Sequence, residues 1–139
     1  MKNRNLQHKD DWETPQDFYD QLNQEFAFDF DPCPIHATFD GLAIPWGNSN
    51  FVNPPYSRKL KEAFIKKGLQ ESKLGKLVVL LLPVSTSTKV FHELILPNAV
   101  IRFVRGRLSF RGINTKGELV GEGSSPMHDS MIVIFSNRK

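Results

Sequence analysis

The stretch Leu77-Val78-Val79-Leu80-Leu81-Leu82 has no polar residue and no alternation. A strand with one wet face alternates apolar and polar side chains, so an unbroken run reads as a strand buried on both faces. The run is also far too short to span a membrane. The rest of the chain alternates around it. Residues 1–10 form a polar tail, expected to be flexible, and residues 11–139 are expected to make one domain. Thr14 suits an N-cap, Pro15 a first helical position, and Phe18, Leu22 and Phe26 then line one helical face. Ala27–Asp31 reads as a strand ended by Pro32 and Pro34, and Phe51-Val52 as a second, very short one. Ser57 can cap a helix over 58–72, with Leu60, Ala63 and Phe64 inward and a row of lysines outward. The Ser85–Thr88 run caps a helix from about 87 to 95. Strands follow over 99–104 and Met131–Phe135, with a further candidate at Leu108-Ser109-Phe110. Residues 111–128, rich in glycine, read as a hairpin tip or mobile loop. Such alternation indicates an α/β fold with a mostly parallel sheet. Ligands in such sheets bind outside the carboxyl ends of the strands. Asp31-Pro32, Asn53–Tyr56 and Pro83–Thr86 all follow predicted strands and should meet on one rim.

Asn53-Pro54-Pro55-Tyr56 carries the chemistry of that rim. An exocyclic amine or amide nitrogen has a delocalised lone pair and is a poor nucleophile. The Asn53 side-chain oxygen and the Pro54 carbonyl can each accept one of its N–H groups and so hold it in line with a methyl donor. Asn does not titrate, so it orients rather than deprotonates. Two prolines fix φ and remove backbone donors, which stiffens the loop. Tyr56 offers a face for an extrahelical base. The plain alternative is a strand-ending turn with an exposed tyrosine.

Asn53-Pro54-Pro55-Tyr56-Ser57 resembles the catalytic motif of amino-group methyltransferases that use S-adenosylmethionine. Further stretches are similar to phage-type DNA N6-adenine methyltransferases: Asp11–Pro15, Phe28–Cys33, Asp40-Gly41-Leu42 with Trp46, Phe51–Tyr56, Leu81-Leu82-Pro83 and Ile101–Phe110. In this order they cover most of residues 10–135. The resemblance implies a reduced, Rossmann-like methyltransferase sheet, mostly parallel with an antiparallel C-terminal strand. It implies methyl transfer from S-adenosylmethionine to a flipped adenine of double-stranded DNA, with Asn53, Pro54, Pro55 and Tyr56 as the catalytic residues. It also implies a bacterial cytoplasmic setting of phage or prophage origin. The tetrapeptide itself recognises an amine or amide, so a protein-glutamine or RNA methyltransferase is the second reading. A non-catalytic DNA-binding protein on a decayed methyltransferase frame is the third.

The cofactor side departs from the usual pattern. The turn after the first predicted strand is Asp31-Pro32-Cys33-Pro34, without glycine. Gly121-Glu122-Gly123 follows no strand and opens no helix. The interval from Asp31 to Asn53 is too short for two βα units, so the strands that usually carry the ribose-binding acid are expected to be missing. The resemblance implies that Thr14 and Pro15 face the methionine part and Asp31 its ammonium, with Glu13 the next carboxylate to consider and Pro32 and Cys33 adjoining. Asp40 can take a ribose hydroxyl or simply start a turn before Gly41. Trp12 and Trp46 can line an adenine pocket or belong to the core.

The net charge of +3 suits nucleic acid without requiring it. Arg102, Arg105, Arg107 and Arg111 share a window, Ala99–Gly112, that contains no acid. With Ser57 and Arg58 they are the candidate DNA contacts, the alternative being a solvated strand face. One cysteine rules out an internal disulfide and fits a reducing compartment. Cys33 and His36 have metal-ligand spacing, but a structural zinc needs four ligands and His8, His92 and His128 are scattered, so no metal is expected. Oligomer formation stays open.

Overall fold

The run Leu77–Leu82 becomes the strand β3, Leu77–Pro83, and Val78 through Leu82 are all buried. The computed structural model describes residues 12–108, 111–113, 119–120 and 128–137. The elements run β1 (Trp12–Glu13), α1 (Gln16–Phe26), β2 (Ser49–Val52), α2 (Arg58–Lys73), β3, a π-helical turn (Phe91–Ile95), β4 (Ala99–Phe103), β5 (Arg111–Ile113), β6 (Leu119–Val120) and β7 (Ser130–Ser136). No helix among the described residues is long and apolar enough to cross a membrane.

The main sheet is open and mixed, in the order β2-β3-β7-β4. β2 pairs parallel with β3, while β7 pairs antiparallel with both β3 and β4. The expectation of a mostly parallel sheet is therefore corrected at the level of pairing: one pair is parallel and two are antiparallel. By direction, β2, β3 and β4 point the same way. The C-terminal strand alone is reversed, and it is inserted between β3 and β4 rather than added at an edge. A second small sheet, β1-β5-β6, joins the N-terminal segment to the hairpin expected after residue 110.

Two apolar layers explain why β3 shows no alternation. Val78, Leu80 and Leu82 pack with Val52, Phe64, Ile65, Phe91, Ile95 and Val133 on the side of α2 and the π-helical turn. Val79 and Leu81 pack with Leu22, Phe51, Ile132 and Ile134 on the side of α1, where Phe18 and Phe26 adjoin. Each such side chain withdrawn from water contributes about 1.5–3 kcal/mol, so both faces of β3 hold the fold together. Gly68 lets α2 approach closely, since a Cβ there would stand 3.0 Å from a Val78 methyl.

Several expected boundaries moved. Ala27–Asp31 is not a strand. Ala27 adopts φ 49°, closing α1 with its N–H on the Asn23 carbonyl, and only Phe30 bridges to β2. Backbone bonds to β2 are confined to Asp29 and Phe30, and the Asp29 carboxylate adds to them by accepting from the Asn48 and Ser49 N–H groups, at 3.3 and 3.1 Å. The helix expected at 87–95 is a π-helical turn over Phe91–Ile95. Leu108 lies outside any strand, and Ser109, Phe110 and the 1–10 tail lie outside the described residues.

The turn-rich 35–48 segment is tied to α2 through Glu71, whose side chain is buried. Its Oε1 accepts from the Trp46 N–H at 2.6 Å and from Lys76 Nζ at 2.7 Å. Burial alone would raise the Glu71 carboxyl. The hydrogen bonds from Lys76 and Trp46 and the charges of Lys76 and Lys67 outweigh it and hold the group below its ordinary value.

Candidate active site

β2 delivers the chain to the rim at Val52, and Asn53-Pro54-Pro55-Tyr56 follows before α2 begins at Arg58. Pro54 and Pro55 are buried, and Asn53 and Tyr56 are half-buried. Asn53 Nδ2 donates to Thr14 Oγ1 at 3.0 Å. Thr14 thus does not cap α1, whose N-cap position is Pro15. Its hydroxyl instead orients the Asn53 amide, with Oδ1 at the opposite end from the bond.

A cavity of about 250 Å³ opens beside this amide. Asn53, Glu13, Thr14, Asp31 and Cys33 line it together, so the structure gathers five residues that the sequence places on three separate segments. Gln16, Tyr19, Pro34, Ile35 and Phe51 complete the wall. None of these five was a candidate site residue in the sequence, although Pro34 was read in the turn after Asp31 and Phe51 in the strand before Asn53. Tyr19 follows Phe18 of the apolar stripe on α1, and its ring meets Phe51 edge-on, centroids 5.1 Å apart. Burial, then the negative charges of Asp31 and Asp20, raise its phenol above the ordinary value. Asp31 Oδ1 accepts from the Cys33 N–H at 2.8 Å, which folds the glycine-free turn back on itself and sets the carboxylate in the wall.

The Tyr56 hydroxyl lies 2.8 Å from His128 Nε2, and the two rings meet edge to face at 5.2 Å. Burial raises the Tyr56 phenol well above its ordinary value, so the group is a neutral hydroxyl. Among the described residues no three His, Cys, Asp or Glu side chains gather as metal ligands.

A family model for DNA N-6-adenine-methyltransferases (Dam) matches residues 2–139. The chain belongs to this Dam family. It is a DNA adenine N6-methyltransferase, and nothing observed favours a protein amide or an RNA as substrate instead. No curated protein and no solved structure matches it.

Within this Dam-family chain, several of the candidate cofactor residues lie outside the cavity wall. Trp46 is 5% exposed, stacks on Phe64 and donates its indole N–H to the Gly41 carbonyl at 2.7 Å. It is a core residue and not part of the cavity wall. Asp40 Oδ1 accepts from the Leu42 N–H at 2.9 Å, making the turn that was its alternative reading. Gly41 is required there because a Cβ would collide with the Pro32 carbonyl. Asp40, Gly41 and Trp46 therefore brace Pro32 from behind, and Pro32 is buried rather than lining the cavity. Pro15 accepts the Tyr19 N–H at 3.0 Å and likewise stays out of the wall. Trp12 belongs to β1, and its side chain lies outside the described residues.

The arginine window looked unbalanced only in one dimension. Arg102 makes two hydrogen bonds to Glu25 of α1, at 2.7 and 2.5 Å, and its guanidinium lies over the Phe26 ring. Arg107 pairs with Asp129 at 3.3 Å. Arg105 is exposed, and the Arg111 side chain lies outside the described residues. Ser57 stands at the N-cap of α2, and Arg58 pairs with Glu62 at 3.0 Å. Arg58 and Glu62 border two adjoining hollows of about 150 and 340 Å³, whose rims also carry Lys61, Lys66 and Lys89.

Proposed function

We propose that the cavity beside Asn53 takes S-adenosylmethionine, and that Asn53 and the Pro54 carbonyl hold N6 of a flipped adenine in line with it. The observation that carries this reading is the shared wall: Asn53 borders the same cavity as Glu13 and Asp31. The wall fits the ligand's chemistry. Two carboxylates suit its ammonium and sulfonium charges, and the Tyr19 and Phe51 rings suit its apolar surface. When bound, the cofactor supplies a methyl group on a cationic sulfur.

The protein's own task is then positional. Thr14 sets the Asn53 amide. That amide and the Pro54 carbonyl accept the two N–H groups of N6 and localise its lone pair toward the cavity. Tyr56 gives the extrahelical base a stacking face. Three co-directional strands with one reversed strand inserted support reading the sheet as a reduced Rossmann-like methyltransferase sheet. Residues 11–139 would then act as one methyltransferase unit. Tritiated-methyl transfer from S-adenosylmethionine, offered DNA, RNA and protein side by side, should label DNA alone. Label in protein or RNA but not in DNA would overturn the reading.

Asp31→Asn tests the cofactor wall, since it keeps size and hydrogen bonding but deletes a charge. Binding of the demethylated cofactor should weaken by about 1.5–3 kcal/mol, the range for a hydrogen bond to a charged group. Calorimetry measures it, and an unchanged dissociation constant would move the ammonium to Glu13.

For the DNA path, Arg105 is the best candidate of its window, because Arg102 and Arg107 already face Glu25 and Asp129. Arg105→Ala should reduce the salt slope of duplex binding by about one unit and leave cofactor binding alone. A wild-type slope would shift the path to the α2 edge at Arg58, Lys61 and Lys66.

A further inference from the structure

We propose that His128 is a positioning residue for methyl transfer, acting through the Tyr56 hydroxyl to hold the ring against which the target base stacks. The inference rests on the stacking role proposed for Tyr56 above. The two residues are 72 positions apart, yet their polar atoms stand 2.8 Å from each other and their rings 5.2 Å.

The hydrogen-bond pattern assigns the direction of the contact. His128 Nδ1 lies 3.2 Å from the Asp129 carbonyl oxygen, which can only accept. With the proton on Nδ1, Nε2 is the acceptor and the Tyr56 hydroxyl donates. The imidazole sits on a firm base. The Asp129 carbonyl also accepts the Val84 N–H at 2.9 Å, just past β3, and Ser130 opens the buried strand β7.

Tyr56 needs such a hold. The prolines before it stiffen the backbone but leave its own side-chain torsions unset. A ring that serves as a stacking platform binds better when its orientation is settled in advance, because the ordering cost is then not met at base entry. The bond to His128 removes ring freedom, and the imidazole stands at 75° to the Tyr56 ring, so it is not stacked parallel on it.

A double-mutant cycle tests this. In His128→Ala, kcat/KM for DNA should fall about five- to tenfold, the scale of one lost hydrogen bond, with the cofactor dissociation constant unchanged. Tyr56→Phe should show a similar loss, and the double variant should be no worse than the poorer single one, because both remove the same bond. His128→Gln, whose amide oxygen can reach the Nε2 position, should recover most of the rate. Imidazole ¹⁵N shifts of His128 should report the Nδ1–H tautomer and change in Tyr56→Phe. A His128→Ala enzyme within twofold of wild type, or losses that multiply in the double variant, would overturn the positioning role. Unaltered ¹⁵N shifts in Tyr56→Phe would remove the contact itself. Neither result touches the reading of Asn53 and its cavity, which fails instead if wild-type protein transfers no methyl group to DNA.

Discussion

Asn53→Ala should lower turnover at least about a hundredfold, the scale seen when one preorganised polar group is removed from a reacting centre. The physical case is local. The methyl acceptor is a weak nucleophile, Asn53 supplies no base, and its whole contribution is an oriented acceptor dipole. Alanine deletes that dipole together with the bond to Thr14, while the residue stands half-buried just after β2 and not in either apolar layer. The melting temperature should therefore stay close to wild type, and any change in the cofactor dissociation constant should be small beside the loss of turnover. Thr14→Val gives the companion result. It leaves the Asn53 acceptor in place but removes the hydroxyl that takes Nδ2, so the loss should be smaller and confined to turnover. Single-turnover methylation of one duplex measures both variants. DNA methylation by Asn53→Ala within a few-fold of wild type would show that the motif is not catalytic.

Tyr56→Ala should cost about 1–3 kcal/mol of base binding, the measured range for removing an aromatic platform from under a base. The effect should appear in kcat/KM for DNA and not in cofactor affinity, since Tyr56 is not part of the cavity wall. Tyr56→Phe separates ring from hydroxyl. It keeps the platform and removes the donor to His128, so it should retain much more activity than Tyr56→Ala. Equal losses in the two variants would mean that the hydroxyl, and not the ring face, carries the function. A thermal melt guards the interpretation, because the half-buried ring also packs against His128.

Strands buried on both faces were legible in the sequence, and so was β4, expected over 99–104, although its residues are half-buried or exposed. Leu77–Leu82 and Met131–Phe135 needed no partner to be recognised, because an apolar run excludes water whichever strand lies beside it. The helices α1 and α2 were legible from the spacing of Phe18, Leu22 and Phe26 and of Leu60 and Phe64. Ala27–Asp31 misled because Ala27, in the left-handed region, turns its course, so that only Asp29 and Phe30 reach the β2 backbone. Local pattern does not distinguish a strand from a segment that meets its neighbour over only two residues. The arginine window misled for a related reason: Glu25 lies 77 positions from Arg102, so a charge balance along the chain was no guide to one in space.

The chemistry proposed for Asn53–Tyr56, the existence of the main strands and the family were all legible in the sequence itself, because they depend on residue type and short spacing. The insertion of β7 between β3 and β4, the hold of Thr14 on Asn53, the bracing of Pro32 by Gly41 and Trp46, and the bond from Tyr56 to His128 were decided only by the tertiary structure. Each joins residues distant in the chain through a contact a few ångströms long, and nothing in the order of residues sets such a distance until the sheet has brought its strand ends to one rim.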